Sequence, residues 1–214
     1  MKTEVLKALA ETRLVAIIRG MDPEICVKLA EAYVEGGIRL VEVTFDQTGD
    51  PRKTIAAIRA IRERFAGKLH VGAGTVLTEA QLKAVIEAGG EFMVTPSVNP
   101  ALIRMCVAAG LVAMPGAFTP SEIVTAHEAG ADIVKIFPIR ALGPQYVKDV
   151  LAPLKHISLM AVGGVNPDNA ADYLKAGCVG VGASGSLVNK EWIAAGEWSK
   201  IAAEARRFIA NLSC

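Results

Sequence analysis

The chain has 214 residues, 52% hydrophobic, 21% charged and only 5% aromatic, with 23 Lys and Arg against 22 Asp and Glu. That balance excludes a disordered chain and a polyanion-binding surface, since basic and acidic side chains alternate and no basic stripe forms. Mean hydropathy is high, at +0.37, yet no apolar run nears the roughly 18 residues that span a bilayer, so neither nucleic acid nor membrane is expected as a partner.

In chain order, a short helix is expected over the opening MKTEVLKALAETR, followed by eight apolar runs: LVAIIR (14–19), LVEVTF (40–45), HVGAGT (70–75), FMVTP (92–96), LVAMPGA (111–117), IVKIFP (133–138), ISLMAVG (157–163) and VGVGAS (179–184). Helical segments lie between them. Asp22-Pro23 opens one that ends at Gly36-Gly37, Asn99-Pro100 opens one that ends at Gly110, and Asn166-Pro167 opens one that ends at Gly177. Thr78 with Gln81 and Thr119 with Glu122 have capping-box spacing, in which the hydroxyl and the third residue satisfy each other's backbone N–H groups. Glycines after the helices supply left-handed C′ positions.

Runs that are apolar on both faces suit parallel strands, covered by helices outside and packed on side chains inside. Eight strand–helix units fill the length, so the expected architecture is α/β: a (β/α)8 TIM barrel with a short N-terminal helix, one domain over residues 1–214. An open doubly wound sheet is the alternative. It is disfavoured because Arg19-Gly20-Met21, not a glycine-rich dinucleotide fingerprint, follows the first strand.

Barrel chemistry sits at the C-terminal strand ends, so polar residues within or just after the runs are informative. In Ile133-Val134-Lys135-Ile136-Phe137, strand alternation puts Lys135 on the face of Ile133 and Phe137, inward if Val134 and Ile136 meet helices. An amine in apolar surroundings is paired, or it loses its proton and becomes a nucleophile toward ketones. Glu42 shares a face with Leu40 and Thr44 and points inward by the same alternation. Together the two read as nucleophile and proton shuttle.

Arg19 ends strand 1 on the face of Val15 and Ile17, and Thr75 ends strand 3 on the face of Val71 and Ala73. A guanidinium and a hydroxyl placed there would hold a carboxylate. After strands 7 and 8 come Gly163-Gly164 and Gly180-Val181-Gly182-Ala183-Ser184-Gly185-Ser186, where side-chain-free N–H groups can take a phosphate. His70, His127 and His156 lie far apart in the sequence, and Asp46 has no partner set, so no metal site is expected. Cys26, Cys106, Cys178 and Cys214 form no C-x-x-C pair and read as structural thiols of a reduced cytoplasmic protein.

The segments VEVTF, VGAGTV, VTPSVNP, MPGAFTPSE, VKIFP and AVGGVNPDN, in this order over almost the whole chain, resemble the family of 2-keto-3-deoxy-6-phosphogluconate and 4-hydroxy-2-oxoglutarate aldolases. The stretch KIFPIRALGPQY is similar to the phosphogalactonate-cleaving branch. The resemblance implies a class I, metal-independent and cofactor-free Schiff-base aldolase on a (β/α)8 barrel, assembled as a homotrimer, acting on a keto acid and releasing pyruvate. It implies Lys135 as the Schiff-base lysine and Glu42 as the acid/base. Thr75 and Arg19 would hold the keto-acid end, and Pro96 and Phe137 would shape the pocket.

Two stretches depart from the pattern. Phe45-Asp46-Gln47 lacks an arginine common after the strand-2 motif of phosphogluconate aldolases, which leaves Arg19 as the cation for the carboxylate. Ser184-Gly185 reverses the usual Gly-Ser order and shifts the expected phosphate contact to Ser184 or Ser186. Arg140, two residues past Pro138, stands either at the pocket mouth or in solvent. The competing readings are a sugar-phosphate isomerase or epimerase with Glu42 as base, and a non-catalytic binding barrel. The interior lysine of VKIFP separates the aldolase from the isomerase, while the altered stretches at 45–47 and 184–185 motivate the binding barrel.

Overall fold

The computed structural model describes residues 2–212, so Cys214 lies outside the described residues. The strands are β1 (Leu14–Ile18), β2 (Leu40–Thr44), β3 (His70–Gly74), β4 (Phe92–Val94), β5 (Val112–Met114), β6 (Gly116–Ala117), β7 (Val134–Ile136), β8 (Leu159–Val162) and β9 (Gly180–Ala183). The helices are α1 (Lys2–Thr12), α2 (Pro23–Glu35), α3 (Pro51–Arg64), α4 (Glu79–Glu87), α5 (Pro100–Ala108), α6 (Pro120–Glu128), α7 (Gly143–Leu151), α8 (Ala170–Lys175), α9 (Lys190–Ala194) and α10 (Trp198–Leu212), with a 3-10 turn at Ile139–Ala141.

All pairings are parallel, in the order β5-β4-β3-β2-β1-β9-β8-β7-β6. The two ends of that order are one run of chain. Pro115 separates β5 from β6, because proline has no N–H to give to a ladder and its ring breaks the regular pairing. β5 therefore pairs with β4 and β6 with β7, while the Pro115 carbonyl accepts from Lys135 N at 2.8 Å. The sheet closes into a barrel of eight staves, one of them interrupted, and the open-sheet alternative falls.

Alternation sorts the strand residues into two cores. Ala16, Ile18, Val41, Val43, Val71, Ala73, Val134, Ile136, Leu159, Ala161 and Val181 face the helices. Val15, Ile17, Leu40, Phe92, Val94, Val112, Met114, Ile133, Met160 and Val162 fill the inside. Val5, Ala8 and Leu9 of α1 join the inner group, so the N-terminal helix plugs one end of the barrel.

Helix entries follow the local chemistry, with two differences from the sequence reading. The Thr78–Gln81 and Thr119–Glu122 capping boxes form as expected. Asp22 makes no cap hydrogen bond and pairs instead with Lys53 at 2.7 Å. The last helix expected from Asn166-Pro167 starts only at Ala170, because the Asn166 side chain accepts from Asp168 N and Asn169 N and holds a turn there. His127 and His156, distant in sequence, meet edge to face with centroids 5.1 Å apart. Cys26, Cys106 and Cys178 are free and buried, and burial pushes each thiol up to about 12, far from a reactive thiolate.

The interior tolerates little addition. A Cβ built on Gly72 would lie 2.3 Å from the Phe92 ring, and Phe92 is fully buried. Gly72→Ala is expected to fold but to lose about 1–3 kcal/mol by overpacking, read as a lower denaturation midpoint at unchanged slope.

Candidate active site

Lys135 and Glu42 are buried, 6% and 3% exposed, on the inner face of the barrel. Their strands, β7 and β2, are four staves apart in the ring of eight, so the two side chains approach from opposite walls. Room for them comes from glycine. A Cβ at Gly74 would lie within bonding distance of the Glu42 carboxylate, and one at Gly116, beside Lys135 in the ladder, would meet the Pro96 carbonyl at 2.6 Å.

Dehydration dominates both groups. Burial pushes the Glu42 carboxyl above its ordinary value, against the opposing pull of Lys135 and Arg19. Burial depresses the Lys135 amine, partly offset by Glu42 and reinforced by Arg19. The Phe137 ring lies under the amine, 4.7 Å from Nζ to centroid, and covers one side of it with apolar surface. Among the described residues neither group has a direct ion pair. The arrangement favours a neutral amine facing a protonatable carboxyl, a pairing suited to carbonyl addition and proton transfer.

A cavity of about 370 Å³ opens beside this pair, lined by Ile17, Arg19, Phe137, Arg140, Gly163, Gly164, Ser184 and Ser186, among others. Arg19 stands exposed at its rim, yet its charge lowers the pKa of both Glu42 and Lys135. Gly163 and Gly164 have φ of 102° and 85°, a left-handed run that only glycine adopts without strain. Asn169 fixes this turn by donating from Nδ2 to the Gly164 carbonyl at 3.0 Å. Ser184 Oγ is engaged, donating to the Ile17 carbonyl at 2.9 Å, whereas the buried Ser186 Oγ has no partner among the described residues.

Thr75 and Pro96 are half-buried and do not line that cavity. The face of Val71 and Ala73, to which alternation assigned Thr75, meets the helices rather than the interior. Thr75 escapes that alternation through a left-handed backbone, φ 55°, costly for a β-branched residue at about 1–3 kcal/mol. Gln47 holds it there, donating Nε2 to the Thr75 carbonyl at 2.8 Å. Gln81 in turn donates to Gln47 Oε1 at 3.1 Å while capping α4.

From sequence alone Arg140 stands either at the pocket mouth or in solvent, and Gln47 and Asn169 carry no role. Arg140 lines the cavity, and its placement depends on a 3-10 turn that periodicity does not reveal. Asp46 is exposed and caps its own loop through Thr48. Among the described residues no three His, Cys, Asp or Glu side chains gather into a metal-holding group, and no helix is long and apolar enough to cross a membrane.

Residues 5–204 match the family described as KDPG and KHG aldolase. The chain is 40% identical to a probable 2-dehydro-3-deoxy-6-phosphogalactonate aldolase of Rhizobium meliloti over 178 residues, 83% of this chain and 82% of the relative. Among solved structures, a cube-shaped protein cage designed by fusing symmetric oligomeric domains superposes with a TM-score of 0.86 at 35% identity, covering 95% of this chain and 73% of that one. A KDPG aldolase from Legionella pneumophila, with pyruvate captured as a covalent carbinolamine intermediate, superposes with a TM-score of 0.82 at 26% identity, covering 94% and 96% of the two chains. With its closed parallel barrel and inward lysine, the chain belongs to the KDPG and KHG aldolase family and is a class I aldolase, a carbon–carbon lyase.

Proposed function

We propose that this aldolase, one catalytic domain over residues 1–214, reversibly cleaves a 2-keto-3-deoxy sugar acid carrying a 6-phosphate to pyruvate and glyceraldehyde 3-phosphate. The observation that carries the residue roles is the pair of opposed, buried ionisable groups, Lys135 depressed and Glu42 raised. The carbinolamine of the Legionella relative supports an amine nucleophile, and the phosphogalactonate relative supports a phosphorylated sugar acid.

Neutral Lys135 Nζ attacks the C2 ketone, forming a C–N bond as the C=O π pair moves to oxygen, which takes a proton from the protonated Glu42 carboxyl and leaves Glu42 as a carboxylate. Glu42, through a water molecule, returns the proton lost by nitrogen to the departing hydroxyl, which leaves as water and yields a protonated imine. The Glu42 carboxylate then takes the C4 hydroxyl proton. The C3–C4 bond breaks, its electron pair enters the imine system as the pyruvate enamine, and the aldehyde departs. Protonation at C3 and addition of water release pyruvate and restore the amine. Arg19 and Thr75 hold the carboxylate end, and Pro96 and Phe137 shape the wall. Gly163 and Gly164, with Ser184 and Ser186, receive the phosphate, Ser186 by its unpartnered hydroxyl.

Localisation is proposed as cytoplasmic and the assembly as a homotrimer. The likeness to a cage of symmetric oligomeric domains supports an oligomer. So does an apolar cleft of about 450 Å³ between α3 and α4, with Phe45, Ile55 and Ala84 in its lining.

Borohydride reduction with pyruvate is expected to add one pyruvyl group to Lys135, found by peptide mass spectrometry, and none in Lys135→Ala. Failure to trap the wild type sinks these roles. Glu42→Gln removes the neighbouring charge that raises the Lys135 pKa, so the amine deprotonates at lower pH. The rising limb of kcat/KM against pH should move downward while kcat falls about 100-fold or more. A limb that stays or moves upward contradicts the coupling. Light scattering should return three times the monomer mass, and a monomer would remove the trimer.

A further inference from the structure

Arg140 sits on the 3-10 turn that follows the Lys135 strand. Its stem and guanidinium lie over Gly164, where a Cβ would come within 2.4 Å of Arg140 Nε and 3.0 Å of its Cβ. Only a residue without a side chain admits this packing. Several arginines are paired, as Arg52 is with Asp50, Arg64 with Glu31 and Arg206 with Glu35, whereas Arg140, like Arg19 in the same cavity lining, has no ion pair among the described residues. Among the described residues no carboxylate or carbonyl takes Arg140.

The cavity that Arg140 lines carries two guanidinium groups and no acidic side chain. Arg19, at one end, acts on Glu42 and Lys135. Arg140 stands beside the Gly163–Gly164 turn, in the same lining as Ser186 and its buried, unpartnered hydroxyl. A second space of about 330 Å³ is lined by Pro138, Arg140, Ala141, Gly163 and Gly164, so Arg140 and the two glycines border both.

Two guanidinium groups in one cavity lining that holds no acidic side chain match a ligand with two anionic groups. The first cation suits a carboxylate beside the reacting ketone. The second, a planar fork with several N–H donors, suits a phosphate monoester, whose oxygens accept two parallel hydrogen bonds. We propose that Arg140 is the specificity-determining residue of this aldolase, selecting substrates with a terminal phosphate over unphosphorylated keto-deoxy acids; this rests on the roles given above to Lys135 and the carboxylate end.

The test compares kcat/KM for a 2-keto-3-deoxy sugar acid with and without its terminal phosphate, in wild type, Arg140→Gln and Arg140→Lys. In Arg140→Gln the phosphorylated-to-unphosphorylated ratio is expected to fall about 10- to 100-fold, chiefly through KM. Arg140→Lys should recover part of the ratio, since the charge returns without the fork. A ratio within about 2-fold of wild type in Arg140→Gln overturns the proposal, as does an equal loss on both substrates, which would leave Arg140 as a wall only. Calorimetric binding of inorganic phosphate gives a readout without turnover. It should weaken by a similar factor in Arg140→Gln, and unchanged binding again overturns the proposal. Capture of pyruvate by the wild type reports separately on Lys135. Arg140-dependent phosphate binding without pyruvate capture would keep the phosphate contact of Arg140 and end the roles given to Lys135.

Discussion

The dehydration of one amine and one carboxyl inside a closed barrel is the constraint around which the rest of the molecule is arranged. A buried charge without a partner costs several kcal/mol, and each group here relieves part of that cost by moving toward its neutral form. The relief depends on the walls staying dry. Ile17, Met160 and Val162 and the Phe137 ring provide aliphatic and aromatic surface, while α1 closes the far end with Val5, Ala8 and Leu9. A direct ion pair would have favoured both charged forms, so the lack of one among the described residues matters as much as the burial.

Glycine makes room for the two side chains. Gly74 and Gly116 stand next to the two functional side chains and have no room for a Cβ, whereas Gly163 and Gly164 are needed for their backbone angles. The chain thus uses the same residue for two separate reasons, volume inside the barrel and conformation at its mouth. The low aromatic content, 5%, belongs to the same design. Large rings filling every inward position would leave no space for a substrate between β2 and β7.

Much of this was legible because strand alternation is strict. Ile133, Lys135 and Phe137 had to share a face, as did Leu40, Glu42 and Thr44, and the sorting of Val134 and Ile136 among the helix-facing residues fixes which face is which. Legibility failed where the chain leaves a regular period. Thr75 lies one residue past β3 in a left-handed conformation, where counting by twos no longer applies. Pro115 broke an apparently continuous strand because a missing donor leaves no trace in hydropathy. Asn166 kept its side chain for a local turn and delayed the helix. Arg140 could be weighed but not placed, since its direction is set by packing on Gly164, a contact 24 residues away along the chain.

The loop after β2 shows how an altered stretch keeps its order. Without an arginine at positions 45–47, the chain uses Gln47 as a link, its amide donating to the Thr75 carbonyl and its oxygen accepting from Gln81. Gln81 accepts in turn from the Leu77 and Thr78 N–H groups. The exit of β2, the exit of β3 and the start of α4 are therefore tied by neutral hydrogen bonds, which orient without adding charge. A cation in that loop would add to the effect Arg19 already has, lowering the Glu42 pKa further and weakening its capacity to hold a proton. With an amide link there instead, the cations in the cavity lining are Arg19 and Arg140.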